Sequence, residues 1–173
     1  MSERGSSRPA KFVLDLCRAR EVRVATAESC TGGLVAAALT AIAGSSDVFE
    51  CGFVTYSNEA KQRLLGVPAA ILLRHGAVSA EAAAAMAKGA LKRSSADFAV
   101  SITGIAGPAG GSKEKPVGLV HFAAARRDGK VLARRRLFGN IGRRRVRERS
   151  VAEALALLAD LVEQTRPAAR RVA

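Results

Sequence analysis

The sequence predicts an α/β domain: a mixed β-sheet with helices on both faces, forming a three-layer αβα sandwich. Segments of helical and strand period alternate up to Thr103, a pattern that favours strands joined by helical crossovers. Two later strand-like segments flank the turn signal Asp128-Gly129 and read as a hairpin. The chain has 173 residues and is 49% hydrophobic, enough for one continuous core without disulfides or a structural metal.

Residues 9–19 set Phe12, Val13, Leu16 and Cys17 on one helical stripe, and residues 1–8 read as a flexible tail. A strand is expected at Val22–Ala27 and a turn at Glu28–Gly33. An Ala-rich helix follows at Leu34–Ala43, ended by Gly44. A short helix is expected at Asp47–Glu50 and a strand at Gly52–Ser57. Asn58–Leu65 suits a helix that Gly66 and Pro68 stop, and Ser79-x-Glu81 opens another that runs to Arg93. Asp97–Thr103 reads as a buried strand. Beyond it lies the glycine-dense loop Gly104–Gly111, then strands at Val117–Ala125 and Lys130–Leu137. A final helix from Arg143 to Gln164 turns Val146, Val151, Leu155, Leu158 and Leu161 inward. Together these segments place one domain at 9–166, with a second flexible tail at 167–173.

The apolar runs fall short of the roughly 20 residues that span a bilayer, and the N-terminal residues lack the pattern of a secretory signal. Membrane association is not expected, and the cytoplasm is the default compartment. Cys17, Cys30 and Cys51 are odd in number and show no CxxC spacing, and His75 and His121 belong to no ligand motif. The three cysteines read as small core residues, Cys30 being the one to watch because it adjoins Ser29. The net charge of +13 would attract phosphates, and arginines cluster at 126–127, 134–136, 143–149 and 170–171. Tyr56 is the single tyrosine and tryptophan is absent, so the stacking platform for single strands is missing. A solvated basic surface, with no specific nucleic-acid partner, is the expectation. Homo-oligomer formation is compatible with the sequence.

Four segments carry the chemistry: Ala27-Glu-Ser-Cys-Thr-Gly-Gly33; Gly44-Ser-Ser46; Gly52-Phe-Val-Thr-Tyr-Ser-Asn-Glu-Ala-Lys61; and Ser101-Ile-Thr-Gly-Ile-Ala-Gly-Pro-Ala-Gly-Gly111, followed by Lys115-Pro-Val-Gly118. Taken singly, each has an ordinary reading. Ser46 could cap a helix, Lys61 could sit on the surface, Tyr56 could be a half-buried strand residue, and the glycine loop could be a turn. The loop lacks the GK[ST] ending of a P-loop, which disfavours ATP hydrolysis. The Tyr56–Lys61 spacing departs from the Tyr-x-x-x-Lys of short-chain dehydrogenases, which disfavours hydride transfer.

In this order and register, from about Val24 to Leu155, the segments resemble the CinA C-terminal domain, the family of nicotinamide-nucleotide amidases. The resemblance implies hydrolysis of nicotinamide mononucleotide to nicotinic acid mononucleotide and ammonia, with no metal or organic cofactor. It implies that Ser46 is the nucleophile, that Ser29 is its close neighbour and main rival, and that Tyr56 and Lys61 are the proton-handling pair. A lysine acts as a base near neutral pH only if its pKa falls several units from about 10.4; burial and neighbouring arginines could supply that. By the same resemblance, Thr103 and the loop residues Gly104, Gly107, Gly110 and Gly111 hold the nucleotide, and Arg143 contacts its phosphate. Two positions depart from the family pattern: Ala109 stands where Asp is usual, and Ile141-Gly142-Arg143 stands for Gly-Asp-Arg. These departures motivate an alternative, a catalytically silent nucleotide sensor of the same fold. A third reading is salt-sensitive nucleic-acid association through the arginine clusters.

Overall fold

The computed structural model describes residues 4–165. Its elements run α1 (Arg4–Ala19), β1 (Val24–Glu28), α2 (Leu34–Thr40), a 3-10 turn (Ser45–Asp47), β2 (Phe49–Val54), α3 (Asn58–Leu65), α4 (Ala69–His75), α5 (Ala80–Lys92), β3 (Phe98–Gly104), β4 (Leu119–Arg126), β5 (Val131–Leu137) and α6 (Arg143–Glu163). The sheet order is β2-β1-β3-β4-β5. β1 is parallel to both β2 and β3, and β3, β4 and β5 continue antiparallel. This is the expected mixed sheet between two helical layers. One core packs α1, α2 and α6 against one face, through Val24, Val100, Ile102, Val120 and Phe122. The other packs α4 and α5 against the opposite face, through Ala25, Ala27, Ala99, Ala123 and Ala125. The alternation of the two sets along β1, β3 and β4 is the period of two that a sheet buried on both faces imposes.

Several boundaries differ from the sequence expectation. α1 begins at Arg4, so residues 4–8 extend the helix instead of forming a tail; residues 1–3 and the whole of the second expected tail lie outside the described residues. The short helix expected at Asp47–Glu50 is a 3-10 turn at Ser45–Asp47, because Phe49 and Glu50 already belong to β2. α4 was not expected: only seven residues long, it is flanked by Pro68 and Gly76 and shows too little period to stand out. Among the described residues, no helix is long and apolar enough to cross a membrane.

The chain passes from β1 to β2 on one side and returns to β3 on the other. The carboxyl ends of these three parallel strands therefore flank a topological switch point, where open α/β sheets form their ligand crevices. α3 follows directly from the end of β2. Ser57 starts it by accepting the Ala60 N–H (3.0 Å), and Gly66 ends it in a left-handed conformation. α3 and α5 meet closely because Gly89 has no side chain: a Cβ there would collide with the backbone carbonyl of Leu65. That approach turns Lys61 and Leu65, one helical turn apart, toward the core.

Candidate active site

A cleft of about 240 Å³ opens at the carboxyl ends of β1, β2 and β3. Ser29 and Cys30 follow β1, Tyr56 follows β2, and Thr103 and Gly104 close β3. Lys61 enters from α3, Ala77 and Val78 from the segment before α5, Ala106, Gly107 and Ala109 from the glycine loop, and Arg143 from the start of α6.

Lys61 is only 1% exposed, and its Nζ donates to Ser29 Oγ (3.1 Å) and to the Thr55 carbonyl (2.8 Å). A core-facing helix position is thus filled by an amine. Burial pushes its pKa below the ordinary lysine range, opposed by neighbouring Cys30; burial supplies this without the arginine help expected from sequence. In the neutral form, the amine has a lone pair that can accept the Ser29 hydroxyl proton, reversing the donor sense of the same contact. Cys30 is not a rival nucleophile: burial pushes its thiol up to about 11, leaving it protonated at neutral pH. Cys17 is pushed up to about 12 by the same cause.

Arg143 spans the mouth of the cleft, donating to Tyr56 Oη (2.7 Å) and to the Gly107 carbonyl (3.0 Å). It opens α6 immediately after Gly142, which offers no capping side chain, and Arg144 and Arg145 follow in the same turn. The positive end of the helix dipole is therefore left uncompensated beside the cleft.

A sequence model of the CinA C-terminal domain matches residues 6–162. The chain belongs to this family. Within the family, the nicotinamide-nucleotide amidohydrolase PncC of Escherichia coli (strain K12) is 56% identical over 141 residues, 82% of this chain and 85% of that protein. A CinA-like protein of Synechococcus sp. (strain RCC307) is 54% identical over 149 residues; this match covers 86% of the present chain but only 36% of the relative's length. Among solved structures, the competence/damage-inducible protein CihA from Agrobacterium tumefaciens superposes with a TM-score of 0.89 at 51% identity, covering 92% of this chain and 96% of that one.

Against the family expectation, one residue is misplaced. Ser46 does not reach Lys61 or Tyr56. It sits in the 3-10 turn beneath the opposite end of the sheet, two residues before Val48, whose carbonyl accepts the N–H of Val24 at the start of β1 (2.9 Å). Ser29 follows the last residue of β1, so one strand length, about 16 Å, separates the two serines. The exposed Ser46 lies beside Asp47, which pairs with Arg18 of α1 (2.7 Å). Ser29, not Ser46, is the serine brought to Lys61.

Tyr56, Gly104, Gly107 and Arg143 line the cleft. Thr103 lines it too, but its hydroxyl already donates to the Ala77 carbonyl (2.7 Å), tying two walls together. Gly110 and Gly111 are not among the lining residues; a Cβ on Gly111 would press on the Val117 amide, so this glycine serves the loop's own packing. Sequence reasoning missed two residues. Glu28 is wholly buried and its carboxylate accepts the N–H groups of Gly33, Val35 and Ala36 (3.1, 3.1 and 2.9 Å). Arg147 donates to the carbonyls of Cys30 (3.1 Å) and Thr31 (2.8 Å). A carboxylate at the end of the short strand Val-Ala-Thr-Ala-Glu was the available signal for Glu28. Arg147 had only its position one helical turn beyond Arg143.

Proposed function

We propose that the chain is a nicotinamide-nucleotide amidohydrolase in which Ser29 is the nucleophile and Lys61 the base. The observation that carries this reading is a buried lysine amine 3.1 Å from a serine hydroxyl at the floor of a cleft. The Escherichia coli relative, 56% identical and named for this activity, supports the choice of substrate.

Neutral Lys61 takes the Ser29 proton as Oγ bonds to the carboxamide carbon. The tetrahedral intermediate collapses, Lys61 returns the proton to the amide nitrogen, ammonia leaves, and an ester remains on Ser29. Water adds to the ester with the same base, and the C–Oγ bond breaks to release nicotinic acid mononucleotide. Tyr56 and Arg143 face the reacting group across the cleft, and Arg143 with the uncapped start of α6 suits the phosphate. Thr103 and the glycine loop enclose the nucleotide.

Incubation with nicotinamide mononucleotide and assay of ammonia tests the reading. Release that disappears in Ser29→Ala supports it. Binding of an intact nucleotide without release marks a sensor and refutes the enzymatic reading.

A further inference from the structure

The segment between α4 and α5 is held by donors from three separate elements. Lys115 Nζ donates to the His75 carbonyl (2.6 Å), Ser79 Oγ to the Gly76 carbonyl (2.9 Å) and Thr103 Oγ1 to the Ala77 carbonyl (2.7 Å). Three successive carbonyls are thus tied to the return leg of the glycine loop, to the cap of α5 and to β3. Ala77 and Val78 form one wall of the cleft.

The glycine loop forms another wall, through Ala106, Gly107 and Ala109. Its two ends are joined where the Ile105 N–H donates to the Leu119 carbonyl (2.9 Å) and the Gly118 N–H to the Ile105 carbonyl (2.8 Å). Arg143 holds the outgoing leg at Gly107. On the return leg, the Ser112 N–H meets the Lys115 carbonyl (2.9 Å) and the Lys115 N–H meets Ser112 Oγ (3.1 Å), which folds this stretch into one turn. The Lys115 amine carries that turn onto the carboxyl end of α4, where the last carbonyls of a helix lack partners within it and a cation suits the dipole. Gly76 makes room for it: a Cβ there would stand 2.9 Å from Lys115 Nζ.

We propose that Lys115 is a positioning residue for substrate binding: its bond to the His75 carbonyl latches the glycine loop to the Ala77–Val78 wall and so sets the width of the cleft around the nucleotide. This inference rests on the reading of the cleft as the nucleotide site. Lys115 is not among the residues lining the cleft, so its effect passes through the two walls it joins. Without the latch, the loop spends only part of its time in the binding geometry, and the apparent affinity falls in proportion to that fraction. Ser29 and Lys61 keep their own contacts.

The test uses the full chain with Lys115→Met, and with Lys113→Met as the control, because Lys113 is exposed close by and its loss removes the same charge. In Lys115→Met, KM for nicotinamide mononucleotide is expected to rise by about 10- to 100-fold, the range set by one charged hydrogen bond. Its kcat should stay within about threefold. Titrations in a Ser29→Ala background should show the mononucleotide and the dephosphorylated riboside weakened by the same factor, because the two walls enclose both. Hydrogen–deuterium exchange should quicken across 108–116 while β3 and β4 keep their protection. Lys113→Met should leave all of these unchanged.

A KM within about threefold of wild type, or unchanged exchange across 108–116, overturns the proposal. So does an equal rise in KM for Lys113→Met, which marks diffuse attraction by charge. A loss confined to the mononucleotide overturns it too, since Lys115 would then contact the phosphate directly, as does faster exchange throughout the sheet, since the bond would then serve the whole fold. If wild type releases no ammonia and binds neither ligand, the nucleotide reading fails and the latch is judged on the exchange of 108–116 alone. If Ser29→Ala still releases ammonia, the nucleophile is misassigned and Lys115 is judged on KM and exchange.

Discussion

Replacing Lys61 with methionine keeps the shape of the buried chain and removes its amine, so it separates the chemistry of Lys61 from its packing. General-base catalysis typically contributes about 10²–10⁴-fold, so ammonia release should fall by that factor, equivalent to about 3–5 kcal/mol of barrier. Stability should respond as well, in a way that depends on pH. The Thr55 carbonyl loses its donor at 2.8 Å, which costs about 1–3 kcal/mol when the acceptor stays buried. Against that, the variant no longer buries an ammonium. The Lys61 pKa is lower in the folded chain than in the unfolded one. Between those two values the unfolded chain binds the extra proton, so wild-type stability rises with pH. Below the folded value, the penalty of the buried charge is complete and constant. The methionine variant lacks this rise. Thermal denaturation of both proteins at pH 7 and pH 10 should therefore show the wild type gaining on the variant as pH increases, by about 2–4 °C for each kcal/mol. A constant difference between the two at both pH values would refute the lowered pKa. Ammonia release near the wild-type rate would refute the base.

Three further outcomes follow from the geometry. Ser29→Ala should abolish ammonia release, whereas Ser46→Ala should change kcat by less than about twofold, because Ser46 is exposed at the far end of β1; steady-state assays of both variants check this. Arg143→Gln should weaken the mononucleotide by about 10- to 100-fold while leaving the dephosphorylated riboside almost unchanged, as befits a charged hydrogen bond to phosphate. Arg144→Gln, whose guanidinium pairs instead with Glu148 (2.7 Å), is the titration control. Iodoacetamide at pH 8 should leave Cys17 and Cys30 unmodified in the folded chain, because both are buried and their thiols titrate at about 12 and about 11; intact-protein mass spectrometry reads the result.

The layer architecture was legible because it follows from local pattern. The hairpin signal at Asp128-Gly129 is followed by antiparallel β4 and β5, and the apolar stripe of α6 faces the core. The site was legible only in part. Lys61 shares a helix face with Leu65 at a four-residue spacing, so its burial could have been read from sequence. Ser46 could not be placed in the same way. It stands closer to Tyr56 along the chain than Ser29 does, yet β1 and β2 are parallel and both must be traversed from the same end. A residue just before β2 is therefore a full strand length from one just after β1. The parallel pairing puts Ser29, not Ser46, level with Thr55 and Tyr56. Arg147 was silent for another reason: its acceptors are backbone carbonyls, which every sequence has.

That last point bears on the charge of the whole molecule. A surplus of +13 suggests a surface built for phosphates, but several arginines are held by carbonyl oxygens. Arg127 donates to Leu91, Ser94 and Ala96 and so satisfies the carboxyl end of α5 and the turn beyond it (3.0, 2.8 and 2.6 Å). Arg143 reaches Gly107, Arg147 reaches Cys30 and Thr31, and Arg18, besides its pair with Asp47, reaches Gly44 (3.0 Å). A carbonyl neutralises no charge on the guanidinium, so each such contact leaves the formal excess intact while fixing the arginine in place. Arg134 and Arg136 are different, meeting Glu153 and, for Arg134, Asp160 on α6. The net charge thus partly reflects how this fold ties its loops and helix ends together. Where those ties converge on the Ser29 turn and the glycine loop, the same chemistry that closes the structure also shapes the site.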